Sequence, residues 1–85
     1  MKRIIEDTTP SGLEGLLGER ITIFAANYIY TGKLTGVNDE DVELEDASIV
    51  YETGELTSSQ WTDAQKLPHT WHVAKSAIES YGILK

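Results

Sequence analysis

The sequence predicts a mostly β protein: a short N-terminal α-helix, then a five-stranded, strongly bent antiparallel sheet forming an open barrel. Three observations carry that prediction. From Arg20 onward the hydrophobic period changes from helical to two. The gaps between strand candidates are too short for parallel crossovers, so the strands run antiparallel. Two glycines, Gly32 and Gly36, fall in one strand, where they mark sharp bending or the close approach of another backbone.

The totals set the limits. The 85 residues make one domain. A chain this short buries only about 60–65% of the surface its unfolded form exposes. It has no cysteine, so neither a disulfide nor a thiolate metal site can help. A very efficient core or self-association must supply the rest. At 40% hydrophobic and 25% charged the composition is globular rather than disordered. Fourteen acids against seven bases give a net charge of −7, which opposes non-specific binding to nucleic acid or to an anionic membrane. No apolar run approaches the roughly 18 residues of a membrane span. "MKRIIEDTTP" lacks the apolar stretch of a secretory signal. The expected compartment is the cytoplasm, or the host cytoplasm for a viral protein.

Residues 1–9 are polar and expected to be loosely ordered. The helix is expected over 10–18. Ser11 and Glu14 fit a capping box, in which each side chain covers the other residue's backbone N–H. Leu13, Leu16 and Leu17 make one apolar stripe, and Gly18 is a C-terminal stop. Gly12 and Gly15 each weaken the helix by about 1 kcal/mol relative to Ala, so it needs a surface to lie on.

Strands one to three are expected within 19–53. Ile21 and Ile23 alternate with Thr22 and Phe24, and Asn27 is a turn position. Tyr28, Tyr30, Gly32, Leu34 and Gly36 share one parity; Ile29, Thr31, Lys33, Thr35 and Val37 share the other. "NDED", Asn38 to Asp41, is a turn. Val42 and Leu44 resume the core parity. Then the pattern slips to Ala47, Ile49 and Tyr51, which predicts a bulge or sharp bend near Asp46 to Ser48. Residues 54–67 read as a loop or an extended hairpin arm. "HTWHVAK" and "AIESYGIL", within 68–84, are strands four and five.

The charge pattern picks out one hairpin. Six carboxylates (Asp39, Glu40, Asp41, Glu43, Glu45 and Asp46) fall within eight residues. Glu43 and Glu45 share a strand face with Asp41, a solvated face that discourages edge aggregation. The run is not an EF-hand loop, because Leu44 stands where glycine is required. His69 and His72 are three apart on a strand and face opposite ways, so they do not share a metal. Ser58 and Ser59 have no base nearby in sequence. Nothing resembles an activated nucleophile or a phosphate-cradling glycine loop. The chain is therefore not expected to be an enzyme or to hold a cofactor or metal.

With this order of elements the chain resembles the Sm-like superfamily: Sm and LSm proteins and the RNA chaperone Hfq. The first signature is matched by Tyr30, Gly32, Leu34, Val37, Asn38, Val42, Leu44, Asp46 and Ala47. The spacing from Gly32 to Leu44 is closer to Hfq than to Sm proteins. The second signature resembles "VAKSAIESYG", with Lys75 and Ser76 at the lysine–histidine positions of Hfq. The likeness runs over roughly residues 11–84 and is interrupted by the segment 54–67.

That resemblance implies a homo-oligomeric ring of about five to seven subunits, in which strand four of one copy pairs with strand five of the next. Trp71, Val73, Ile78 and Tyr81 would then stand at subunit contacts. It also implies an RNA-facing pore site at Asn38, Asp39 or Glu40, Asp41, Lys75 and Ser76. The chemistry there departs from the family. "NDED" offers no ring or guanidinium to stack on a base, a contact worth about 1–3 kcal/mol per base. Asp41 stands in place of an amide and, when ionised, only accepts hydrogen bonds. The expected partners are the chain itself, then single-stranded RNA or another protein, and no membrane. The alternative is a ring that serves as a protein-binding or assembly scaffold without RNA.

Overall fold

The computed structural model describes residues 12–85. Six strands form one antiparallel sheet: β1 (Arg20–Ala25), β2 (Ile29–Val37), β3 (Asp41–Glu52), β4 (Asp63–Lys66), β5 (Trp71–Ala74) and β6 (Ile78–Gly82). Their order is β4-β3-β2-β1-β6, with β5 also pairing with β3, and the sheet does not close. No helix among the described residues is long and apolar enough to cross a membrane.

Two expectations need correcting. The α-helix expected over 10–18 is absent from its described part, where Glu14–Leu16 form a single 3-10 turn. Ser11, half of the expected capping box, lies outside the described residues. The two glycines flanking Glu14 help explain the shortness: Gly12 sits at φ +58°, outside the helical region. Leu13 and Leu16 still pack against the core without a helix, whereas Leu17, the third member of the expected stripe, is exposed.

The second correction is the strand count. The expected fourth strand is β5, and a further strand, β4, forms within the segment 54–67; both pair with the 12-residue β3. The break between them falls at Pro68 and His69. Proline has no N–H for the ladder. His69 adopts φ +59°, which bends the chain out of extended geometry. Leu67 N–H still donates to Ala47 O at 2.8 Å, so the two pieces remain one interrupted path along β3. The arm expected in 54–67 thus exists as β4, which has no buried residue.

The break lies opposite the bulge. Thr31 pairs with Ser48, but Lys33 pairs with Glu45, so β3 spends one extra residue there. Asp46 takes φ +50° at this point. Gly32 faces the bulge. A Cβ on it would stand 3.1 Å from both Ala47 Cα and Glu45 O, so any other residue would push the two backbones apart by a few tenths of an ångström. Arg20 and Lys66 flank Asp46 at 3.2 and 2.6 Å, and Lys66 first, then Arg20, holds its carboxyl below the usual carboxylate range.

Ile21, Ile23, Leu34, Val42, Leu44, Ala47 and Val73 form the buried core. A second register shift, between Leu34 and Gly36, returns Val37 to the core side opposite Val42, against the expected parity. Past the bulge the parity prediction holds for Ala47 but fails at Tyr51, which is exposed while Val50 is buried. By then the strand has passed the core, and Val50 is covered between its cross-strand partners Ile29 and Ala64.

Candidate functional site

The β2–β3 turn, the end of β5 and a 3-10 turn over Lys75–Ala77 meet at one end of the sheet. The meeting is enforced by the backbone. β5 lies antiparallel to the start of β3, with Asp41 opposite Ala74 and Glu43 opposite His72. Lys75 N–H then donates to Glu40 O at 2.8 Å. The chain turns away immediately afterwards to make β6.

An open depression of about 600 Å³ results, lined by Asp39, Glu40, Asp41, His72, Lys75 and Ser76 with Ala74. A second one of about 210 Å³ adjoins it, and Asn38, Asp41, Glu43 and His72 line it. The structure therefore brings Asp39, Asp41, Lys75 and Ser76 to one surface and places Asn38 at its border. Sequence spacing alone separates the turn from Lys75 by more than thirty residues.

Asn38 is committed to the turn. Its Oδ1 accepts from Glu40 N–H at 2.7 Å and from Asp41 N–H at 2.8 Å, and its own N–H donates to Asp41 O at 3.0 Å. This is the local asparagine turn that competes with regular structure. Only its amide NH₂ remains to meet a ligand.

His72 is the member that sequence reasoning missed. Its Nε2 lies 3.2 Å from Glu43 Oε2, and Thr35 Oγ1 donates to Glu43 Oε1 at 2.9 Å. Both oxygens of Glu43 are thus engaged. The pairing becomes legible once His72 is set opposite Glu43 in the β3–β5 register.

The electrostatics of the rim follow from this count. Asp39, Glu40 and Asp41 bring three carboxylates, and among the described residues their side chains make no hydrogen bond or ion pair. Lys75 is the one lysine in the depression, and its ammonium is likewise without a partner among the described residues. Such a rim favours cations and cationic groups and repels phosphate.

The residues expected at subunit contacts divide. Trp71 and Tyr81 are exposed on β5 and β6. Ile78 is half-buried and packs on the core. Val73 is buried inside its own chain, opposite Val42. On the arm, the Lys85 ammonium lies over the Trp61 ring, 4.4 Å from its centroid.

No family model matches this chain, and no curated protein matches it.

Proposed function

We propose that this chain is an Sm-like subunit that joins border to border with copies of itself into a homo-oligomeric ring serving RNA metabolism. One observation carries the reading. β5 and β6 are consecutive in sequence, separated only by the Lys75–Ala77 turn, yet they lie on opposite borders of an open sheet. Each presents one row of backbone N–H and C=O groups that pairs with no strand among the described residues. Head-to-tail pairing of one copy's β5 with the next copy's β6 satisfies both rows and closes when the rotation allows. Trp71 and Tyr81, the exposed aromatics on these strands, supply apolar area at that seam.

The ring would bring the depressions around Asp39, Asp41, Lys75 and Ser76 together about its axis. By the family resemblance, single-stranded RNA is the ligand that such a site meets. Each copy adds three carboxylates and one lysine, so the approach of RNA depends on screening or on a bridging cation.

A second reading rests on that charge and on Asn38, whose oxygen is spent within the turn. It is a ring that scaffolds other proteins and leaves RNA alone. Titration of uridine-rich and adenine-rich oligonucleotides at several salt concentrations separates the two. Micromolar or tighter binding that weakens steeply with salt supports RNA as ligand. No binding at physiological salt, with the assembly intact, leaves the scaffold.

A further inference from the structure

We propose that residues 53–61 form a receptor for a primary ammonium group, occupied in cis by Lys85. The Lys85 Nζ donates to three backbone carbonyls: Thr53 O at 2.9 Å, Glu55 O at 2.7 Å and Gln60 O at 2.9 Å. Three acceptors match the three N–H donors of an ammonium. The Trp61 ring supplies an aromatic face to the same nitrogen, the arrangement of a cation–π contact. Hydrogen bonds from a charged donor are the stronger kind, and here all available donors are used.

The carbonyls converge because the loop folds on itself first. Gly54 sits at φ +68°, and a Cβ there would run into the Thr62 hydroxyl. Ser58 N–H donates to Glu55 O at 3.0 Å, and Gln60 N–H donates to Ser58 Oγ at 3.2 Å. These bonds turn the peptide oxygens of 53, 55 and 60 inward. Among the described residues no carboxylate contacts the ammonium, so peptide dipoles and one ring do the recognition there. Glu52, Glu55 and Asp63 in the same stretch add a negative field that favours a cation.

The position gives the contact its consequence. Residues 53–61 follow β3 and precede β4, on one border of the sheet. Lys85 follows β6, the strand on the other border. The strands between these borders do not close into a barrel. Lys85 acts as a latch between the two flanks and holds an arm that has no buried residue of its own. A guanidinium is a poor substitute. Its five donors lie in one plane and cannot converge on a cone of three carbonyls.

The test uses the unaltered chain and three variants. In the unaltered chain, a ¹⁵N spectrum of the lysine ammonium groups should show Lys85 exchanging its protons slowly, unlike the other lysines. Lys85→Met should speed backbone amide exchange across residues 53–61 by about fivefold and shift the Trp61 indole resonance, leaving Trp71 unmoved. Lys85→Arg should behave like Lys85→Met. Ethylammonium added to Lys85→Ala should restore the Trp61 resonance saturably, while tetramethylammonium, which has no N–H, should not. A Lys85 ammonium that exchanges like exposed lysines overturns the proposal without relying on any variant. So does an unchanged loop in Lys85→Met, or restoration by tetramethylammonium as good as that by ethylammonium.

Discussion

Two acidic turns hang from the ends of β3, and a lysine pins each in a different way. At the β2–β3 turn, Lys75 gives its backbone N–H to Glu40 O and keeps its ammonium for solvent or a ligand. At residues 53–61, Lys85 gives its ammonium to three carbonyls. The first turn sits on the core, since Val42, Leu44 and Val73 lie beneath it fully or almost fully buried. The second sits on an exposed arm. A turn backed by packing can leave its charges unpaired. A turn without packing must use a charge to hold its shape. That contrast makes the first turn the candidate site and the second a fastening.

The largest effect should come from the packing beneath the first turn. Leu44→Ala removes a fully buried side chain from the β3–β5 ladder and should cost about 2–5 kcal/mol in a urea melt. Next is Gly32→Ala, which drives a methyl group into the backbone of the bulge and should cost about 1–3 kcal/mol. Asn38→Ala strips an acceptor from two backbone N–H groups and should cost about 1 kcal/mol, with faster amide exchange at Glu40 and Asp41. Gln65→Ala, on the exposed arm, should stay within about 0.5 kcal/mol of the unaltered chain. An arm substitution as costly as Leu44→Ala would erase the contrast between the two turns.

A pH titration sharpens the region between them. The Asp46 carboxyl is held below its ordinary value of 3.8 by Lys66 and then by Arg20. Its ion pairs therefore stabilise the fold fully above that ordinary value and are lost as pH falls through the lower folded value. Asp46→Asn should lower stability slightly at neutral pH, where the pairs are formed, converge with the unaltered chain at acid pH, where the carboxyl is protonated, and so flatten the acid limb of the stability curve. The effect is small because the pairs are exposed.

Much of the sheet was legible because side-chain alternation is a local signal. The core positions Ile21, Ile23, Leu34, Val42 and Leu44 follow from parity, and the slip at Asp46 to Ser48 announced the bulge. The glycine pattern also spoke plainly, since Gly32 is where two backbones meet. What failed depends on tertiary context. Two leucines of the N-terminal stripe, Leu13 and Leu16, reach the core from a 3-10 turn, and Leu17 does not. Val37 and Tyr51 were assigned the wrong faces because the sheet shifts register a second time near Thr35 and runs past its core beyond Ser48. The gap between β4 and β5 was written in Pro68, a residue that cannot donate to a ladder. The candidate site was half legible. The turn residues were evident from charge, but His72 joins them only through cross-strand register. Lys85 was invisible, because nothing in its local sequence points to carbonyls twenty-five to thirty-two residues away.

The mass of the chain in solution, measured by light scattering over a wide dilution range, tests the ring most directly. A stable multiple of 9.4 kDa, about five- to sevenfold and independent of concentration, is the predicted result. A 9.4 kDa particle that persists as a single chain and melts cooperatively would contradict it.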